Sequence, residues 1–194
     1  TRDDVADALE MGYYIKLLAI VRDVGDSIEA RVHPTLVPQD HLLAQVRNEF
    51  NGVFIQTDIC DGTLLYGRGA GRFPTASAVV ADIVDIARRG DGKPAPPFVY
   101  GVKRPVRDIA HTRSRFYMRF TTEDRPGILA KITAALGGEG VSIASVIQKE
   151  KRTPDGVHIV IMTAETEEAA LRRALDGVEA SGVNRAQPHV VRVL

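Results

Sequence analysis

The stretch RFTTEDRPGILAKITAALGGEGVSIASVIQKE, residues 119–150, decides the fold of the C-terminal half of the chain. It contains the end of a predicted strand at 115–121, an apolar-periodic helix at 126–139 and a second strand at 141–149. After it the pattern predicts a turn at 154–156, a strand at 157–163, a helix at 167–181 and a strand at 188–193. The order βαββαβ is that of the ferredoxin-like split motif.

The turn between the first strand and the helix is the place in this half where a ligand could bind. Asp124 can cap a helix whose first turn holds Pro126, and Gly127 allows a ligand to approach the free amides. Ser142 and Ser145 on the next strand could add hydroxyl contacts. The alternative, that Asp124, Pro126 and Gly127 only build the turn, stays open.

A second glycine-rich turn precedes a long amphipathic helix in YGRGAGRFPTASAVVADIVDIARR, residues 66–89. Pro74 is predicted at the first helical position, which makes Phe73 the N-cap, and Gly90 is predicted to end the helix. The apolar residues of one helical face are Val79, Val80, Ile83, Ile86 and Ala87. A helix N-terminus after glycines suits a phosphate or carboxylate, but the spacing GxGxG is not the GxGxxG dinucleotide fingerprint. A structural tight turn and a ligand site both remain open.

The first 34 residues predict a capped helix followed by two paired strands. Thr1 is the predicted N-cap of a helix at 2–11, whose acidic residues form a solvated face. The strand at 13–22 is predicted to be largely buried, and it pairs antiparallel with 27–34. In the second strand the alternation predicts one wet face, and its polar residues are Glu29, Arg31 and His33.

Residues 39–62 predict a short helix and a hairpin. The helix is expected at 39–46 and a strand at 53–58, and Asp61-Gly62 is a hairpin signal between that strand and the next. Cys60, the single cysteine, is expected to be a buried structural thiol. The first segment is therefore predicted to be an antiparallel sheet backed by helices.

Residues 91–112 are rich in proline and lack a helical period, so we predict a linker docked on a neighbouring surface. The predicted division is 1–90, 91–112 and 113–194. The chain opens without methionine and with a helical pattern, which we interpret as entry into the middle of a longer polypeptide.

The composition excludes several classes of function. The 194 residues are 44% hydrophobic and carry 25 basic and 25 acidic side chains, without a basic run interleaved with aromatics, which argues against nucleic acid as a partner. No apolar run is long enough for a membrane span. A single cysteine favours a reducing compartment, so we expect a cytoplasmic protein. The five histidines are scattered without metal-ligand spacing, so neither a metal site nor a catalytic constellation is predicted.

Three stretches resemble known families. EMGYYIKLLAI at 10–20 and, above all, YGRGAGRFPTASAVVADIVDIAR at 66–88 resemble the later part of homoserine dehydrogenases. Residues 119–150 resemble the ACT domain that many bacterial members carry at their C-terminus. The fold class expected is α+β, with part of the family's central mixed sheet at 1–90 and a ferredoxin-like ACT domain at 113–194. The family's nucleotide motif, catalytic lysine and substrate-binding carboxylates have no counterpart in these residues.

The resemblance implies a function for both glycine-rich turns. In such enzymes the turn before the helix of residues 66–89 faces NAD or NADP, so the positions carried over are Gly69, Ala70, Gly71 and Thr75. ACT domains pair and bind a small amino acid near the start of their first helix. The effector positions expected from this are Asp124, Arg125, Pro126, Gly127, Ile128, Leu129, Ser142 and Ser145, with threonine as the expected effector.

The resemblance also implies a reaction. The family interconverts L-homoserine and L-aspartate 4-semialdehyde on the route to threonine and methionine, and the nicotinamide cofactor carries the hydride. We expect this chain alone to be inactive and to form a dimer or tetramer through the central sheet and the ACT domains. The competing hypothesis is a stand-alone amino-acid-sensing ACT protein with a dimerisation scaffold.

Overall fold

The structure of the protein is a computed structural model that describes residues 1–89, 101, 103–153 and 156–194, excluding the side chains of 149–153. The helices are α1 (Arg2–Glu10), α2 (Arg72–Arg89), α3 (Ile128–Gly138) and α4 (Glu168–Ala180). The strands of the first half are β1 (Tyr13–Asp23), β2 (Ile28–Pro38), β3 (Phe50–Ile55) and β4 (Thr63–Arg68). Those of the second half are β5 (Arg113–Thr122), β6 (Ile143–Thr153), β7 (Gly156–Thr163), β8 (Thr166–Glu167) and β9 (His189–Val193).

The described chain divides into two compact units, 1–38 with 104–194 and 39–103. The first unit contains a seven-stranded sheet with the strand order β1-β2-β9-β5-β7-β6, and β8 pairs with β5. In its C-terminal part, β5 is antiparallel to both β7 and β9, and β6 is antiparallel to β7. This arrangement confirms the predicted α+β class and the βαββαβ order. Gly90 and the turn residues Pro154 and Asp155 lie outside the described residues.

The N-terminal hairpin and the C-terminal sheet meet at one short parallel contact. Thr35 pairs with Arg192 and Leu36 with Val193, and the Leu194 amide donates to the Leu36 carbonyl at 2.9 Å. Hence the first 38 residues share one sheet with the C-terminal segment, although 65 residues of sequence separate them from Arg104. The division at 90 and 112 stays a prediction, and the packing joins residues from both sides of it.

One face of the C-terminal sheet carries α3 and α4 and forms the larger core. Phe116, Met118 and Phe120 alternate along β5 toward this face. They pack with Ile132 and Leu136 of α3, and α4 adds further apolar residues. The helix contributions from α4 are Leu171, Ala174 and Val178. The buried residues of α3 and α4 therefore recur with the 3.6-residue period that the sequence predicted.

The opposite face of the same sheet carries α1. Ala8 packs with Leu36, Tyr117 and Val193 in a second, smaller core. The helix begins as predicted, because the Thr1 hydroxyl accepts from the Asp4 amide at 3.4 Å and the Asp4 side chain returns a bond to the backbone of Thr1.

A buried polar cluster fixes α1 on this face. The Arg119 Nε donates to Asp4 Oδ1 at 2.7 Å, and both side chains are only 4% exposed. The Tyr117 hydroxyl lies 3.1 Å from a carboxylate oxygen of both Asp4 and Asp7. His189 Nδ1 approaches Asp4 Oδ2 at 3.2 Å. The prediction of a solvated acidic face was therefore wrong for Asp4 and Asp7, since their carboxylates have partners on a strand more than 100 residues away.

The cluster shifts the titration of its members. Burial alone would raise the pKa of Asp4, but hydrogen bonds from Arg119 and Thr1 outweigh it and hold that pKa well below its usual range. Burial and the adjacent carboxylates of Asp4 and Asp7 raise the pKa of Tyr117, so its hydroxyl stays a donor. Each charge in the cluster thus depends on the others.

The two faces of the β1–β2 hairpin are the reverse of the prediction. Glu29, Arg31 and His33 are buried, whereas Val32 is 69% exposed. The Arg31 Nη1 donates to Glu29 Oε2 at 2.6 Å, so the buried charges are paired. Alternation located the two faces correctly, but hydrophobicity alone assigned the wrong one to the interior.

The exposed face of the same hairpin is apolar. β1, predicted to be largely buried, exposes 74% of Leu17 and 72% of Val21. These two residues pair with Pro34 and Ala30 of β2 in the antiparallel register. A continuous apolar strip results on the same sheet face as Ile15 and Leu36, beyond the end that packs with α1.

Residues 104–112 run beside the hairpin. The Ile28 amide donates to the Pro105 carbonyl at 2.9 Å, and the Arg107 amide donates to the Ile28 carbonyl at 2.8 Å. The Arg107 side chain reaches Glu29 at 3.9 Å. A 3₁₀ turn at Ile109–His111 then leads into β5.

The second compact unit, 39–103, is a hairpin and a helix in its described part. β3 and β4 pair antiparallel from Phe50 with Arg68 to Ile55 with Thr63. The connection is therefore 56–62, longer than a two-residue Asp-Gly turn. The predicted helix at 39–46 is reduced to a 3₁₀ turn at Leu42–Gln45. Cys60 lies exposed in the connection, so its prediction as a buried thiol was wrong.

Replacing Arg119 by methionine tests the anchoring of α1. The change leaves the Asp4 carboxylate buried without its cation, and we expect it to lower the free energy of unfolding by about 3 kcal/mol. Arg125→Met is the control, because the exposed Arg125 pairs with Glu123 at 3.4 Å and should contribute almost nothing. Urea denaturation of both variants measures the difference. Equal losses in the two variants would show that the ion pair does not hold the helix.

The depressed pKa of Asp4 predicts acid sensitivity. A carboxyl group with a lower pKa in the folded state stabilises the fold above its ordinary pKa of 3.8, and this contribution is lost as the pH falls below that value. We expect the free energy of unfolding of the wild type to fall steeply below about pH 4. Asp4→Asn should start from a lower value and fall less over the same range. Parallel pH profiles from denaturant titrations would contradict this assignment.

Candidate cofactor and effector sites

Local structure accounts for two glycines of the turn before α2. The Gly69 amide donates to the Glu49 carbonyl at 2.9 Å, and a Cβ on Gly69 would lie 1.7 Å from Asn51 Nδ2. Gly71 has a φ of +121°, in the left-handed region that favours glycine. Gly67 has open space where a Cβ would stand. The structural reading of this turn therefore holds for Gly69 and Gly71, and it leaves room for a ligand beside them.

α2 begins two residues earlier than the sequence predicted. The Thr75 amide donates to the Gly71 carbonyl at 3.1 Å, which makes Gly71 the residue preceding the helix. Phe73 is consequently inside the helix, and the prediction that it is the N-cap was wrong. Pro74 occupies the third helical position, where its missing amide removes no intrahelical bond.

The start of α2 has the chemistry of an anion site. Arg72 and Phe73 precede the first intrahelical bond, so their amides have no acceptor within the helix, and the positive end of the helix dipole lies there. Gly69, Ala70, Gly71 and Thr75 are exposed around this end. The four residues predicted to contact the cofactor thus lie together, and the backbone near them suits a phosphate group.

The apolar face of α2 is exposed along its length. Val79, Val80, Ile83 and Ile86 are each more than half exposed, and no residue of α2 is buried. This exposure agrees with the predicted apolar stripe. Asp85 and Arg89 on the polar side form an ion pair of 2.6 Å one turn apart.

The second candidate site is the turn between β5 and α3. Gly127 has a φ of +90° and is the N-cap of α3, with no side-chain cap and no atom near the position of a Cβ. Asp124 does not cap the helix, contrary to the prediction, because the helix begins only at Ile128. Arg125 and Pro126 are exposed in the turn.

The two apolar positions of this predicted site have a structural role. Ile128 is buried in the larger core and Leu129 packs against it. Their side chains are therefore part of the core. Only their backbone amides could contact a ligand at the helix N-terminus.

Ser142 and Ser145 lie at the other end of the sheet. β6 runs in the same direction as β5, and Ser145 pairs with Met162, which in turn pairs with Tyr117 in the middle of β5. The turn that contains Gly127 follows Thr122, five residues further along β5, which is about 17 Å at the rise of an extended strand. Within one chain the structure does not bring the two serines to the turn.

The histidines and the cysteine offer no catalytic arrangement in the part of the chain that the structure describes. No group of three or more histidine, cysteine, aspartate or glutamate side chains could hold a metal there. His41 accepts from the Leu43 amide at 3.1 Å, and His111 lies 2.8 Å from Glu167. His158 Nε2 lies 3.2 Å from Arg119 Nη1, at the edge of the polar cluster around Asp4. These contacts are structural.

Burial lowers the pKa of His33, the remaining histidine, and favours its neutral form. Its Nε2 and the Arg31 Nε are buried without a hydrogen-bond partner in the structure. The side-chain Nδ2 and Oδ1 of Asn184 are also buried without a hydrogen-bond partner. This residue was not identified from the sequence. No helix among the described residues is long and apolar enough to cross a membrane.

Comparison with known proteins connects the two halves of the chain to two families. Residues 1–84 match the homoserine dehydrogenase family and residues 116–180 match the ACT domain. The homoserine dehydrogenase of Neisseria gonorrhoeae is 42% identical over 91% of this chain and 42% of its own length. That of Pseudomonas aeruginosa is 37% identical over 93% of this chain and 43% of its own length.

A solved structure agrees with this relationship. The crystal structure of a homoserine dehydrogenase from Thiobacillus denitrificans superposes with a TM-score of 0.87 at 38% identity, over 100% of this chain and 45% of that one. The chain thus spans somewhat less than half the length of these relatives. Over the length that it shares with them, the chain belongs to the homoserine dehydrogenase family and carries an ACT domain in its C-terminal part.

Proposed function

We propose that this chain is the C-terminal portion of an NAD(P)-dependent homoserine dehydrogenase, which interconverts L-homoserine and L-aspartate 4-semialdehyde. The observation that carries the proposal is the similarity to homoserine dehydrogenases over at least nine tenths of the chain. The family generally uses NAD(P). When bound, the nicotinamide supplies the hydride transfer.

The contribution of these residues to that reaction is to bind and orient the cofactor. The amides at the start of α2 and the positive end of its dipole hold an anionic group of NAD(P), and Gly69, Ala70, Gly71 and Thr75 shape the surface around it. A side chain at Gly71 would strain the turn and move these amides, because its φ is +121°. Hydride transfer needs further machinery, since we find no catalytic arrangement among the described residues. We therefore expect the 194-residue chain alone to be inactive.

A chimera tests the proposed enzyme. The upstream part of the N. gonorrhoeae homoserine dehydrogenase joined to Thr1 should oxidise homoserine with NAD(P)+, whereas the 194-residue chain should not. In the chimera Gly71→Ala should raise the KM for the cofactor about tenfold, the effect of losing one charge-assisted hydrogen bond. Gly67→Ala is the matched control, because Gly67 lies just before the turn, at the end of β4, with open space where a Cβ would stand.

The outcomes separate the two hypotheses. Turnover by the 194-residue chain alone would overturn the view that it lacks the catalytic machinery. An inactive chimera that still binds amino acids would favour the stand-alone sensing protein. Equal KM values for the two glycine variants would remove Gly71 from the cofactor site.

We further propose that the ACT domain binds a small amino acid, with L-threonine as the first candidate, and that two copies of the chain build each site. Asp124, Arg125, Pro126 and the amides of Gly127, Ile128 and Leu129 supply one half. Ser142 and Ser145 supply the other half from a second copy, since they lie at the opposite end of the sheet in one chain. β6 is an edge strand of the sheet. Antiparallel pairing of two such edges would bring the start of one β6 to the end of the other.

Mixing two defective variants tests the shared site. Gly127→Ala and Ser145→Ala should each weaken threonine binding, measured by calorimetry, because each removes one half of every site. A mixed dimer of the two variants contains one site with both wild-type halves. Random exchange makes half of the dimers mixed, so the mixture should regain binding at about one quarter of the wild-type stoichiometry. Ala144→Ser, also exposed on β6, serves as the control and should leave binding unchanged. A mixture that binds no better than either variant would place the whole site within one chain.

A further inference from the structure

The side chain of Asn51 lies against the turn that precedes α2. A Cβ on Gly69 would stand 1.7 Å from Asn51 Nδ2 and 2.6 Å from Asn51 Cγ. The carboxamide therefore occupies the space that a side chain at position 69 would need. The φ of Gly69 is not positive, in contrast to that of Gly71. The need for glycine at position 69 thus comes from Asn51 and not from backbone strain.

The strand register shows how this side chain reaches the turn. Asn51 pairs with Gly67 in the β3–β4 hairpin, but no atom lies within 4 Å of the place where a Cβ on Gly67 would stand. The Asn51 side chain thus leans away from its direct cross-strand partner and toward Gly69, in the direction in which β4 leads into α2. The Gly69 amide donates to the Glu49 carbonyl at 2.9 Å, which fixes the backbone of the turn beside the carboxamide.

The opposite face of the hairpin is covered by contacts of its own. Phe50 and Tyr66 stack with their ring centroids 4.7 Å apart, and a Cβ on Gly52 would lie 2.8 Å from Val46 Cγ2. Because neighbouring residues of a strand point to opposite faces, Asn51 is directed to the other side, where it is exposed. A molecule bound at the turn can therefore reach its carboxamide.

The charges around the carboxamide suit an anionic ligand. Glu49 is the carboxylate next to this turn, and Arg68 Nη1 donates to its Oε1 at 2.6 Å, which offsets its repulsion of an anion. The carboxamide of Asn51 supplies an N–H donor and no charge. Its Nδ2 is the atom nearest to Gly69, so it places a side-chain donor beside the free backbone amides of Arg72 and Phe73.

We propose that Asn51 is a cofactor-binding residue, which donates through Nδ2 to an anionic oxygen of NAD(P) at the Gly69–Gly71 turn. Gly69 then serves the site indirectly, because it leaves the space that the carboxamide occupies. This inference rests on the proposed binding of the cofactor at this turn, and it adds a side chain of β3 to that site.

Two substitutions of Asn51 in the active chimera separate binding from packing. Asn51→Ala removes the donor and should raise the KM for NAD(P)+ about tenfold. Asn51→Asp keeps the shape of the side chain but puts a negative charge in place of the donor, so the KM should rise about a hundredfold. The Tm of Asn51→Asp should not fall, since a carboxylate near the positive end of the α2 dipole is favourable. A packing role alone would give the reverse order of KM values, because aspartate preserves the contact with Gly69 and alanine does not.

A double substitution tests the link between Gly69 and Asn51. Gly69→Ala displaces the carboxamide, so it should raise the KM about tenfold in the parent chimera and add almost nothing in the Asn51→Ala background. Gly67→Ala is the control, because its Cβ would not touch Asn51, and it should leave the KM unchanged. Additive losses from the two substitutions would overturn the indirect role of Gly69.

Gln56→Glu controls for the added charge. It makes the same carboxamide-to-carboxylate change at an exposed residue beyond the other end of β3, and it should leave the KM unchanged. A wild-type KM in Asn51→Asp or Asn51→Ala would overturn the role of Asn51, while an active parent chimera would still support the proposed enzyme. An inactive parent chimera would contradict the proposed function, and this inference with it.

Discussion

The ion pair between Asp4 and Arg119 is the contact on which the arrangement of the larger unit depends. It joins the first turn of α1 to the middle strand of the C-terminal half, and both side chains are almost entirely removed from solvent. Buried ion pairs gain little net stability over apolar contacts, but a partner left alone is strongly destabilising. The pair therefore acts mainly by excluding placements of α1 that would leave the two buried charges unpaired.

The contact between β2 and β9 also depends on charged side chains, which lie on the other face of the sheet. Only two residue pairs form this parallel contact, which is little backbone pairing for a junction of two family segments. Arg192 of β9 compensates by donating through Nε to Glu168 of α4 at 2.8 Å, while its neighbour on β2 is Thr35. Charged and polar groups on both faces thus specify a junction that backbone hydrogen bonds alone would specify weakly.

The sequence predicted the part of the fold that follows from local periodicity. The βαββαβ order, the Thr1 cap of α1 and the apolar faces of α3 and α4 depend on residues that are neighbours along the chain or one helical turn apart. What it could not predict was which charged side chains pair with one another and become buried. Asp4 looks like a solvated acid until Arg119 is known to face it, and Arg31 looks exposed until Glu29 is seen to accompany it into the interior. In both cases paired charges made burial possible where hydrophobicity predicted exposure.

The candidate sites divide in the same way. Gly69, Gly71 and Gly127 could be identified from sequence, because a glycine before a helix indicates an unusual backbone angle or a close approach. Ser142 and Ser145 could be identified by resemblance, but only the strand register showed that one chain separates them from the turn at Gly127. A resemblance to a family indicates which positions are expected to contact a ligand. The strand register then determines which of those positions one chain can bring together. A site whose halves lie at opposite ends of one sheet requires association of chains, and this makes oligomerisation part of the proposed effector chemistry.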